Sequence, residues 1–247
     1  MKRQTVSCFA IALLLLFTLP AFPAAADSQF CDTQGEVEFI AGYGPVAPLD
    51  PDFPESALED RNGVEITSDS DSLSLNVVPI LTFAGENGQA FPAQTVGEGV
   101  FPLYSPIRPY VQVSDLRGTG SGWKLSVNAD PFLLDGSPAL AGAKIRLLGG
   151  TARSSNSALA PPAINSAVIV ECAGSETAAP VTIADTLGDS NSMGAWVIRW
   201  YPLDSRGQFT ASEPVHMAGI DLLVPSGTLM LPGNYSTTLY WTLSDVA

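Results

Sequence analysis

The chain has 247 residues, with 25 acidic and 11 basic side chains, a formal charge of −14 and one histidine, His216. So few cations exclude a nucleic-acid partner, whose phosphates demand Lys and Arg. A chain that is 46% hydrophobic and 15% charged is not disordered, and one histidine excludes metal chemistry that needs several.

Lys2 and Arg3 precede an almost wholly apolar run from Cys8 to Leu19, which Pro20 and Pro23 break; Ala24-Ala25-Ala26 then offers small residues before Asp27. This order predicts a secretory signal peptide over residues 1–26, cleaved after Ala26. The run is too short and too interrupted for a membrane span, and no other segment approaches that length. The mature chain is therefore expected to be exported, with no transmembrane span. Cleavage removes two of the 11 cations and none of the 25 acids, which leaves a net charge of −16. Cys8 leaves with the signal, and Cys31 and Cys172 remain. Export permits a disulfide between them, and closing so long a loop could contribute about 4–5 kcal/mol. Spacing alone leaves paired and free thiols both open.

Residues 27–60 read as a short strand and a linker. Val37 and Phe39 alternate within Gly35-Glu36-Val37-Glu38-Phe39-Ile40, the pattern of a strand. Pro45, Pro48, Pro51 and Pro54 follow at a spacing of three, with Asp50, Asp52, Glu55 and Glu59 among them. That spacing predicts an extended, solvated polyproline II spacer. Asp50, Asp52 and Glu55 lack calcium-loop spacing, so no metal site is expected.

The body opens at Leu73, Leu75 and Val77, which alternate, and runs on to a turn at Gly85. Further strands are predicted at 110–113, 123–127, 144–148, 167–170, 181–184, 195–201, 220–224 and 235–243. Trp123, Leu125 and Val127 share one strand face; Trp196, Ile198 and Trp200 share another; Leu239, Trp241 and Leu243 a third. Gly and Pro, 22 and 20 of them, are dispersed between short strands, and no sustained helical period exists. The expected fold is all-β, a single sandwich or barrel-like domain over residues 61–247, behind the signal peptide and the short Pro/Asp-rich linker.

Two of these strands carry a W-x-L motif. Trp123-Lys124-Leu125 ends a run that begins Val111-Gln112-Val113-Ser114-Asp115-Leu116-Arg117-Gly118-Thr119-Gly120-Ser121-Gly122, and Trp241-Thr242-Leu243 lies almost at the C-terminus. A bare W-x-L carries little information, but the long glycine-rich run before the first and the second copy are specific. The chain resembles the WxL-domain surface proteins of Gram-positive bacteria over essentially its whole mature length. The short Pro/Asp linker and the two cysteines depart from that pattern. The resemblance implies non-covalent attachment to the cell wall through peptidoglycan, with the WxL domain as the anchor. It also implies surface complexes with other proteins of this type and with a membrane-anchored partner. Leu231-Pro232-Gly233-Asn234 is not a sorting signal of the LPxTG type, and four residues after Leu243 leave no room for a hydrophobic tail, which agrees with non-covalent attachment.

Trp123 and Trp241 have two readings. They either stack on sugar rings or pack the core beside Leu125 and Leu243 and fix strand register. The loop with Asp115, Arg117, Gly118, Gly120 and Gly122 either exposes amides to a glycan or partner, or forms a turn across which Asp115 and Arg117 bond. An enzyme is the rival class. Gly188-Asp189-Ser190 resembles the nucleophile block of a secreted esterase family, and Glu213 precedes His216 by three residues. A triad needs Ser190, His216 and an acid in contact, and the α/β fold that holds such a block has no helical pattern here. No enzyme activity, catalytic residue or cofactor is expected. A third class is an adhesin or assembly subunit that reaches the wall only through a protein partner.

Overall fold

The computed structural model describes residues 37–246, apart from 39, 60, 68, 86–87, 105–108, 157–160, 175–177, 187–192 and 201–215; for 94–98 and 216–218 it describes the backbone alone. The expected signal peptide and Cys31 lie outside the described residues, as does most of the strand expected at 35–40. Of that stretch, Val37, Glu38 and Ile40 carry no strand, and Val37 and Ile40 are exposed. A compact unit begins at Phe39 and holds every element below.

The fold is all-β. Five strands, β1 (Val64–Ile66), β2 (Leu73–Pro79), β4 (Tyr110–Asp115), β13 (Gly194–Arg199) and β9 (Thr151–Arg153), form one antiparallel sheet in that order. A second sheet runs β10 (Ala163–Ile164), β12 (Val181–Asp185), β5 (Gly122–Ala129), β16 (Leu239–Val246). A third runs β11 (Ala167–Glu171), β8 (Lys144–Leu148), β14 (His216–Met230), β3 (Gln94–Tyr104), and three two-residue strands, β15 (Tyr235–Ser236), β6 (Leu133–Leu134) and β7 (Ser137–Pro138), make a small fourth. The three larger sheets send alternate side chains into one core: Val111 and Val113 from β4, Trp123 and Leu125 from β5, Ile145 and Leu147 from β8, Trp196 and Ile198 from β13, Ile220 and Leu222 from β14. Period-two alternation thus places the apolar set inside.

The five-stranded sheet is buried on both faces at its centre, where every residue of β4 is buried. Its outer face carries Tyr110, Gln112 and Ser114 of β4 and Val197 and Arg199 of β13, in register as Val197↔Gln112 and Arg199↔Tyr110. A register shift between Leu75 and Val77 of β2 sends Val77 to this face as well, so Leu73, Leu75 and Val77 do not share one side.

What covers the outer face is the Pro-rich segment. It is a strap rather than the solvated spacer that its composition predicts. Leu58 N–H donates to the Pro48 carbonyl (2.8 Å), Asp50 N–H to Ser56 (2.9 Å), and Leu49 bridges Ala57, which closes a small hairpin. At its tip the Asp50 carboxylate accepts from the N–H of Asp52 (2.7 Å) and Phe53 (3.1 Å), an Asx turn. Pro48, Pro51 and Pro54 are buried, while Glu55 and Glu59 stay in solvent. Prolines three apart therefore form one apolar ridge, and Leu49 and Leu58 complete a second cluster with Val64, Val77, Tyr110 and Val197.

Two polar side chains rising from the sheet hold the strap. The Gln112 amide takes a strand's place: its oxygen accepts from Leu49 N–H (2.8 Å) and its nitrogen donates to Ala47 O (3.1 Å). Arg199, 1% exposed, pairs with the Asp52 carboxylate and donates to Pro51 O (2.9 Å). Arg153 of β9 adds a bond to Asp52 O (3.0 Å). Asp52→Ala removes the partner of a buried charge and should destabilise the domain by about 3 kcal/mol. Urea unfolding measures this, and limited proteolysis should show new cleavage within 42–58.

Candidate functional site

The structure brings the two W-x-L motifs together. β5 and β16 are antiparallel neighbours, with Leu125 opposite Leu243 and Val127 opposite Trp241. Their inward faces form one apolar surface, and the polar residues between them, Lys124 and Thr242, point the other way. Trp123 is 0% exposed. Its N–H donates to Thr186 Oγ1 (2.7 Å), and its carbonyl accepts from Thr186 N–H (3.1 Å). An indole enclosed on both faces offers no surface to a sugar. Trp241 is half-buried, because β16 is the edge of its sheet. Its ring lies 6.1 Å from that of Trp200, tilted by 40°. Trp200 follows β13 directly, so this pair joins the second sheet to the five-stranded one.

The loop between β4 and β5 brings Asp115 and Arg117 into contact. Asp115 is 2% exposed, and its carboxylate binds the Arg117 guanidinium through Nε and Nη2, both at 2.9 Å. Arg117 also donates to Asp245 (2.6 Å) near the end of β16 and to the carbonyls of Ser121 (2.8 Å) and Gly122 (3.1 Å). The hydrogen-bonded Asp115 carboxylate raises the Arg117 pKa above its already high ordinary value; burial opposes this and Asp245 reinforces it. Gly118 and Gly120 take positive φ, 67° and 71°, which is where the turn requires glycine. Gly122 is buried at the start of β5. The loop is thus closed on itself by one arginine, which also latches the second W-x-L strand beside the first.

Cys172 is a buried free thiol beside Ala129, and burial pushes its pKa up to about 12. Cys31, for which a disulfide to Cys172 was one of two open readings, lies outside the described residues. Ser190 and Glu213 also lie outside them, and of His216 only the backbone is described, opposite Tyr104. Asp50 and Asp52 are engaged in the strap, and among the described residues no group of three metal-ligating side chains exists. No helix among those residues is long and apolar enough to cross a membrane.

The fold is thus all-β, with the two W-x-L strands paired side by side. A family model described as WxL domain surface cell wall-binding matches residues 26–246. The chain belongs to that family, which is one of cell-surface binding domains. Searches of curated proteins and of solved structures gave no match.

Trp123→Ala should cost about 3–5 kcal/mol and Trp241→Ala about 2 kcal/mol, because only the first is fully enclosed. Thermal unfolding of the two variants checks the order; a Trp123→Ala protein that keeps its melting temperature and loses wall binding would overturn the core assignment. Arg117→Gln leaves the Asp115 carboxylate buried without its partner and should cost about 2–4 kcal/mol. Asp245→Asn should cost less than about 1 kcal/mol, since that partner is 65% exposed. Urea midpoints of the two variants make the comparison.

Proposed function

We propose that the protein is exported and held non-covalently on a Gram-positive cell wall, by direct contact between this domain and peptidoglycan. The observation that carries this reading is the extent of the family match, residues 26–246. The wall-binding description spans the whole folded body rather than an appended module. The basic, apolar and small-residue order of the first 26 residues supports export.

Charge decides what kind of contact this is. The mature chain carries a net −16, and such walls are themselves anionic through their teichoic acids. Long-range repulsion therefore opposes binding, and short-range contacts to neutral glycan or peptide supply it. The rival arrangement is capture by another WxL-type protein or by a membrane-anchored partner.

Purified mature protein should sediment with protein-free peptidoglycan. The bound fraction should change by less than about twofold between about 0.05 and 0.5 M salt, since contacts of this kind are little screened. Release by a chelator would assign cation bridging instead. Binding to whole cells but not to purified peptidoglycan would assign a protein partner and overturn the proposal.

A further inference from the structure

We propose that the groove between the tip of the strap and the edge strand β9 is the seat of a neutral, N-acetylated wall glycan, with one sugar ring resting on Phe53. This deepens the wall-binding reading and rests on it. The groove encloses about 390 Å³ and is lined by Phe53 and Glu55 from the strap, Ala152, Arg153 and Ser154 from β9 and the residue after it, and Trp196 from β13. That volume lies within the usual range of ligand sites, roughly 300–1,000 Å³.

Phe53 is the distinctive feature. It is 60% exposed. Its backbone is nevertheless fixed, since its N–H donates to Asp50 Oδ1 (3.1 Å) and its carbonyl accepts from Ser56 N–H (2.8 Å). The residue before it is tied to the sheet by Arg199 and Arg153. Leaving a large aromatic side chain in water on a rigidly held turn gains the fold little burial. It does provide a preorganised flat apolar face, which costs little further ordering when a ligand arrives. Such a face suits the C–H side of a pyranose ring.

The polar lining selects the ligand class. Arg153 places one cation and Glu55 one carboxylate beside the same groove, while the Asp52 charge is matched by Arg199. The lining therefore has no net charge to attract an anionic polymer. Arg153 uses one N–H on the Asp52 carbonyl, and a guanidinium has five donors in all. Those donors and the Glu55 acceptors match hydroxyl and N-acetyl groups. The groove also lies on a sheet edge and is open, as a site for a polymer that enters and leaves along its length requires.

The test uses mature protein on protein-free peptidoglycan from which covalently attached anionic polymers have been stripped. Phe53→Ala should weaken binding roughly three- to tenfold, the size of one aromatic contact, with the melting temperature unchanged. Phe53→Tyr should retain binding within about twofold, since the ring face is kept. A soluble N-acetylglucosamine tetramer should compete with the wild type. Equal binding by wild type and Phe53→Ala would overturn the groove assignment and leave wall attachment standing. Loss of wild-type binding on stripping would overturn it in favour of the anionic polymer. Failure of the wild type to bind either preparation would overturn the wall-binding reading itself.

Discussion

The domain depends on one arrangement: a five-stranded sheet with polar residues on its outer face, two of which, Gln112 and Arg199, are met by a strap. A sheet buried on both sides is ordinarily apolar on both. Here the outer face holds Gln112 and Arg199, 0% and 1% exposed, together with Ser74, Asn76 and Ser114. Each is bonded. Asn76 donates to Ser74 Oγ (3.0 Å), Ser114 donates to Asn76 Oδ1 (2.5 Å), and Gln112 and Arg199 reach the strap. An unmet buried polar group costs about 1–3 kcal/mol, so sheet and strap stand or fall together. The polar pattern also specifies where the strap lies, because only a backbone with a free N–H at 49 and a free carbonyl at 47 fits the Gln112 amide.

The tryptophan motifs are the inner counterpart of this arrangement. Trp123 anchors the middle of the core, while Trp241 pins an edge strand by reaching Trp200 at the end of β13. Because paired strands alternate strictly, a one-residue slip of β16 against β5 would turn Trp241 and Leu243 out to water. The Arg117 latch on Asp245 fixes the same register from outside the core. The paired motif is thus built into the framework, with Trp123 wholly enclosed and Trp241 half-buried at the sheet edge.

Alternation in the sequence was enough to find β4, β5, β8, β11 and β12, because each is short and apolar on its inner side. It was not enough for β3, and of β14 it found only the stretch 220–224. Gly97, Gly99 and Pro102 interrupt the first, Pro225 and Gly227 the second, and the register between them shifts three times. The strap was illegible for a different reason: prolines three apart describe an extended solvated spacer and a buried ridge equally well. Only the sheet decides, and its decisive residues, Gln112 and Arg199, look in sequence like the wet side of ordinary strands. At the candidate site, Asp115 and Arg117 are two residues apart and their contact was legible as one of two readings. Asp245, 128 residues from Arg117, was not.

The same wiring bears on how the chain reaches its folded state. The strap near the N-terminus closes on Arg199, 147 residues later, and β5 gains its β16 neighbour only from the last stretch of sequence. Contacts so distant give a high contact order, and loop closure must precede the reward of pairing, so folding is slow. The five-stranded sheet is complete only at Arg199, and the other three only at Met230 or beyond. So wired, the chain cannot close its core until its last strands are available to pair.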